Sequence, residues 1–116
     1  MEIKIIKSKI SFDDLKELAK GGYGDMVKGV ADIKRKVIAL GGELHADAEA
    51  VLLGDGSVSN DLWGFNIYPE KTKEERIEFT SLINIKPVLG SRSMEVQDLE
   101  IRKQMESIIN NFLEGK

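Results

Sequence analysis

The sequence predicts an α+β domain: a mainly antiparallel sheet with about three helices packed on it, in the order β-α-β-β-α-β-β-α. Three observations carry this expectation. Stretches in which apolar and polar residues alternate recur along the chain, and segments with apolar residues at helical spacing separate them. Neighbouring strands are joined by connections too short for a crossover, which favours antiparallel pairing. The 116 residues, 41% apolar and 32% charged, suffice for one core and are too rich in apolar side chains for a disordered chain. Residues 1–116 are therefore expected to form a single domain.

In chain order, Ile3 and Ile5 alternate with charged residues and predict a first strand that stops near Lys7. Ser11 offers a hydroxyl N-cap, and Asp13 and Asp14 place negative charge in the first turn of a helix carrying Phe12, Leu15, Leu18 and Ala19 on one side. Gly21 and Gly22 end it. The segment from Met26 to Leu40 satisfies two periods: Val27, Gly29, Ala31 and Ile33 alternate, whereas Met26, Val30, Ile33 and Val37 would line a helix. Its valines and isoleucines, with Lys34-Arg35-Lys36 as a solvated turn, predict two strands, the second from Val37 to Leu40.

Gly41-Gly42 predicts a bend before an extended piece from Glu43 to His45. Ala46 to Leu53 is rich in good helix formers and is stopped by Gly54-Asp55-Gly56-Ser57. Trp63, Phe65 and Ile67 predict the core face of a strand that Pro69 ends, with Asn66 and Tyr68 turned to solvent. The cleanest alternation runs from Ile77 to Ile85 and is closed by Pro87. Asp98 is then a good N-cap for a last helix with Ile101, Met105, Ile108, Ile109 and Phe112 on one stripe. The helices are expected on one face of the sheet.

Composition narrows the partners. No apolar run approaches the roughly 18 residues that cross a bilayer, so no membrane partner is expected. The first residues read as a strand and not as a secretory signal, and cysteine is absent, which together predict cytoplasmic residence. A net charge of −3 gives no general attraction to phosphate backbones, so nucleic acid is a disfavoured partner. The exposed edges of a small sheet predict a homodimer.

The sharpest constellation is Glu43, His45 and Asp47. In an extended segment all three project from one face, where two carboxylates and an imidazole suit a divalent ion or a histidine general base. In the alternative reading, His45 or Asp47 caps a helix and the shared face disappears. Arg92, between Ser91 and Ser93 in an irregular stretch, is a second candidate for gripping a carboxylate or phosphate. Gly21-Gly22-Tyr23-Gly24 follows a helix and lacks the Gly-Lys-Ser/Thr ending of a phosphate loop, so it reads as a helix stop.

Gly41-Gly42-Glu43-Leu44-His45-Ala46-Asp47, Asp55-Gly56-Ser57, Leu62-Trp63-Gly64-Phe65-Asn66-Ile67-Tyr68-Pro69 and Ile83-Asn84-Ile85-Lys86-Pro87 together resemble a family of small uncharacterised bacterial proteins. The resemblance spans nearly the whole chain and implies a small bacterial domain, without an activity to carry over to any residue.

No complete catalytic motif is present, so the sequence favours a protein that works through binding or association. The alternative is a small hydrolytic enzyme, with or without metal assistance, centred on Glu43, His45 and Asp47. No cofactor is indicated, and the small-molecule or protein partner is not identified.

Overall fold

In the computed structural model, which describes residues 2–114, the elements in chain order are β1 (Ile3–Ile6), β2 (Ile10–Ser11), α1 (Phe12–Lys20), β3 (Val27–Asp32), β4 (Val37–Gly41), α2 (His45–Gly54), β5 (Leu62–Ile67), β6 (Ile77–Glu78), α3 (Leu99–Phe112) and β7 (Leu113–Glu114). Single 3-10 turns lie at Ser59–Asp61, Leu82–Asn84 and Pro87–Leu89. Five strands form an antiparallel sheet in the order β1-β4-β3-β5-β6, and β2 pairs in parallel with β7. This is an α+β fold.

The segment with two competing periods is a hairpin, β3 to β4, in register from Gly29 opposite Leu40 to Asp32 opposite Val37. Its turn is fixed by Asp32, whose Oδ1 accepts from the amides of Lys34 and Arg35 at 2.9 and 2.8 Å. Such a side-chain turn favours Asp over most residues. The hairpin therefore owes its register to a residue of the strand end as much as to the charged turn.

The helices cover both faces of the sheet, a correction to the one-sided arrangement. Val27, Ala31, Ile38, Leu40, Trp63, Phe65 and Ile67 pack with Leu15 and Ala19 of α1 and Met105, Ile108 and Ile109 of α3. Val30, Ala39 and Leu62 face the opposite way, onto Ala48 and Leu52 of α2. Central strands buried on both sides carry continuous apolar runs, and Val37-Ile38-Ala39-Leu40 and Leu62-Trp63-Gly64-Phe65 are such runs, β5 being buried throughout with Asn66 as its polar residue.

Two further expectations fail. The alternation from Ile77 to Ile85 is not one strand: only Ile77 and Glu78 pair with β5, and Leu82–Asn84 is a 3-10 turn started by the Ser81 hydroxyl, which accepts from Ile83 N at 3.2 Å. Its apolar residues do not share a face, because Phe79 enters the core beneath α1 and α3 whereas Ile83 packs on the α2 side. Glu43 to His45 does not run extended throughout either: Leu44 keeps extended backbone as the N-cap, but the helix begins at the next residue. Residue His45 opens α2, and the Asp47 carboxylate accepts from Leu44 N at 3.2 Å, half of a reciprocal cap.

Candidate functional site

Lys28 on β3 stands opposite Asn66 on β5, and Asn66 stands opposite Glu78 on β6. All three lie on the sheet face that carries α2. The first turn of α2 rises on one side of them and the segment from Thr80 to Ile83 on the other, leaving a cleft of about 280 Å³. Leu44, Leu82, Ile83 and Met94 supply its apolar walls, and His45, Asn66 and Lys28 its polar floor. Leu44, Leu82 and Met94 remain 58%, 71% and 41% exposed, an apolar rim rather than a buried core.

The two glycine-containing segments flanking this cleft have clear local causes. Gly64 leaves room for the 80–83 segment: a Cβ there would stand 2.5 Å from Ser81 Cβ. Beyond the cleft, the Lys28 ammonium sits 5.3 Å above the Tyr23 ring, and the Tyr23 hydroxyl donates to the Glu43 carbonyl, tying the 21–24 loop to the entry of α2.

His45 is buried, with Nε2 2.9 Å from the carbonyl oxygen of Phe65. A carbonyl only accepts, so Nε2 carries the proton and Nδ1 of the neutral ring is a free acceptor. Burial lowers the pKa of His45 most, the Phe65 hydrogen bond pulls the other way, and the Lys28 charge lowers it further, against weaker upward effects of a side-chain hydrogen bond that Asn66 offers the protonated ring and of the Glu78 charge. The ring is therefore neutral at pH 7.

Asn66 is fixed in the same manner. Its Nδ2 donates to Glu78 Oε1 at 2.8 Å, and a carboxylate cannot donate back, so the amide orientation is chemically determined. Oδ1 is left buried without a hydrogen-bond partner among the described residues. Buried acceptors are nearly always satisfied, and the neighbouring ring that the Asn66 side chain would hydrogen-bond is His45 in its protonated form. The expectation that Asn66 and Tyr68 meet solvent is thus wrong for Asn66, which is buried, and Tyr68 is half-buried with its hydroxyl 3.3 Å from Glu78.

The four residues singled out from the sequence do not converge. His45 lines the cleft, whereas Glu43 and Asp47 are exposed, the latter occupied as a helix cap. The face they would share as a strand is lost because a helix turns residues at alternate positions about 200° apart. Arg92 is exposed and outside the cleft, and its flanking serines are engaged elsewhere, Ser91 donating to Asn84 O and Ser93 accepting from Glu95 N. Among the described residues, no group of three His, Asp or Glu side chains comes together as a metal site. The carboxylate–histidine cluster of the hydrolytic alternative is therefore not assembled.

Lys28 escapes sequence reasoning, and Asn66, for which the sequence leaves a ligand hydrogen bond or solvent open, is assigned to solvent, because a single polar residue in an alternating strand looks solvent-facing. The usable signal is Gly64, since a glycine inside a strand marks a close approach by another segment. Arg35 is also misread as solvated: its Nη1 donates to Ser57 Oγ at 2.6 Å and its Nη2 meets Asp55 Oδ2 at 2.7 Å, locking the Asp55-Gly56-Ser57 turn to the hairpin.

A family model described as "Protein of unknown function (DUF5674)" matches residues 4–112. No curated protein and no solved structure matches the chain.

Proposed function

We propose that this chain, which belongs to the DUF5674 family of proteins of unknown function, acts by binding a small organic molecule in the cleft between the first turn of α2 and the 80–83 segment. The observation that carries the reading is the buried, unpartnered Asn66 Oδ1 at the cleft floor. Beside it the neutral His45 ring offers a second acceptor at Nδ1, and the walls are apolar. Two acceptors under an apolar rim select a ligand that presents N–H or O–H donors on an aliphatic or aromatic body.

The test is an NMR titration with aliphatic primary amides and amines, L-leucinamide among them, read at the side-chain amide of Asn66 and the ring of His45. Saturable shifts at both, lost in Asn66→Leu, support the reading. No member of the panel shifting either residue would sink it.

We further propose, independently of the cleft, that the chain is a single domain of the bacterial cytoplasm and works as a homodimer. The motive for dimerisation is β1, the last strand of the sheet on its side, which has no second neighbour among the described residues. Sedimentation of a 12.9 kDa monomer at micromolar concentration would remove the dimer without touching the cleft.

A further inference from the structure

The 69–75 turn joins β5 to β6 and ends at Arg76, whose carbonyl accepts from Tyr68 N at 2.8 Å. Arg76 is only 2% exposed. Its guanidinium lies 5.1 Å from the Phe12 ring centre, Nη2 donates to Asn110 Oδ1 at 2.7 Å, and Nε is buried with no acceptor among the described residues. No carboxylate of the described residues forms an ion pair with it. A neutral amide and an aromatic face orient a guanidinium but do not neutralise it, and a buried charge ordinarily keeps a counter-charge.

Arg76 forms part of the wall of a pocket of about 380 Å³ between α1 and the 69–75 turn. Lys16, Lys71 and Lys73 line the same pocket, with Glu70 as the one carboxylate. Glu70 is held by Lys16 at 3.7 Å, and Lys71 rests its ammonium 4.3 Å from the Tyr68 ring centre. Four cations therefore face one anion in the lining, and the Glu74 carboxylate, which does not line the pocket, adds its charge to the surroundings of Arg76. Phe12 and Pro69 make the apolar part of the wall.

We infer that the pocket between α1 and the 69–75 turn binds a doubly charged oxyanion of the phosphate class, with Arg76 as its fixed anchor. The planar guanidinium offers N–H donors to phosphate oxygens in the pocket, and Lys71 and Lys73 neutralise the second charge from the exposed rim. A monoanionic carboxylate uses the arginine alone and leaves the lysines uncompensated. Free phosphate and a phosphate monoester share this chemistry. They differ in whether an organic group reaches Phe12 and Pro69.

The test follows the Arg76 Nε–H resonance during titration with inorganic phosphate, phenyl phosphate and acetate at constant ionic strength. Phosphate is expected to shift it saturably, with acetate weaker by about tenfold or more. The exposed double variant Lys71→Gln/Lys73→Gln, which leaves the buried arginine in place, should weaken phosphate binding by about tenfold at low salt. Tighter binding of phenyl phosphate identifies a monoester as the ligand, and equal binding identifies free phosphate. The inference is overturned if the resonance does not move by roughly 10 mM phosphate, weaker than any specific site of this kind, if acetate binds as tightly as phosphate, or if the double variant binds phosphate as the parent does. Arg76→Lys adds a check on folded protein: it should lose most phosphate binding while keeping a charge at that position.

Discussion

Gly64 and Asn84 exchange two hydrogen bonds: Gly64 N donates to Asn84 Oδ1 at 2.7 Å, and Asn84 Nδ2 donates to Gly64 O at 3.1 Å. The asparagine side chain is thus a one-residue strand, pairing β5 where β6 has already ended. Its Nδ2 also donates to Met94 O at 3.0 Å, so one fully buried amide ties β5, the 82–84 turn and the segment that carries the cleft's outer wall. Asn84→Ala leaves the backbone N–H and carbonyl of Gly64 without the partner they have here, while Met94 O keeps the Ser81 amide as its donor at 3.0 Å, at roughly 1–3 kcal/mol for each group that water cannot reach. Urea denaturation should show a loss above about 2 kcal/mol, and Asn84→Asp, which cannot donate, should be nearly as damaging. A loss under about 0.5 kcal/mol for either variant would mean that water replaces the amide.

The neighbouring contact gives a paired test. A methyl group at position 64 would stand 2.5 Å from Ser81 Cβ and 2.6 Å from Ser81 Oγ, so Gly64→Ala forces the 80–83 segment outward. Overpacking of this kind costs about 1–3 kcal/mol. Adding Ser81→Gly to Gly64→Ala removes the obstructing atoms and should recover part of that loss. Equal stability of the single and double variants would show that the strain lies elsewhere.

The extent to which the molecule was legible follows from which residues speak locally. Ser11 and Asp98 cap α1 and α3, accepting from Asp14 N at 3.1 Å and from Glu100 N at 2.9 Å, because a cap is a contact over two or three residues. The Trp63 strand was legible for the same reason, its period being set by immediate neighbours, whereas the hairpin, with two competing periods, was read from its valines and isoleucines and its charged turn. The residues from Ile77 to Ile85 were not: their alternation is genuine, but Gly64 and Asn84, twenty residues apart, decide where the chain turns. The cleft was half legible. His45 stood out as the chain's one histidine, yet its partner is a backbone carbonyl from β5, and Asn66 gains meaning only when Glu78 fixes its amide. Arg76 was hidden within a run of lysines and glutamates that reads as a solvated turn.

Ser57 is predicted to be structural rather than nucleophilic, despite a carboxylate at hydrogen-bond distance. Its hydroxyl donates to Asp32 Oδ2 at 2.6 Å and accepts from Arg35, and no imidazole is among its partners. Ser57→Ala removes a donor from a fully buried carboxylate and should destabilise by about 1–2 kcal/mol. A stability unchanged within about 0.3 kcal/mol would mean that the hydroxyl contributes nothing net to the network.

The pH dependence of stability should carry a specific contribution from His45. Its pKa is lowered in the folded protein, mainly by burial, so the native ring stays neutral while the unfolded chain takes up a proton near the ordinary value of about 6.5. Between that value and the lower folded one, the unfolded state binds more protons, and stability therefore rises with pH across the window. Read in the other direction, the contribution is complete above about 6.5 and is lost as pH falls through the folded pKa. Carboxylates titrate in the same acidic range, so the parent alone cannot isolate the ring. His45→Gln can: a glutamine amide offers the Phe65 carbonyl an N–H donor without any titration. The difference in unfolding free energy between parent and His45→Gln, measured by urea denaturation from pH 8 to pH 5, should therefore shrink or change sign toward the acidic end. Parallel curves would show that the ring takes up its proton in the folded state as readily as in the unfolded one, and the free acceptor at Nδ1 would then be absent below neutrality.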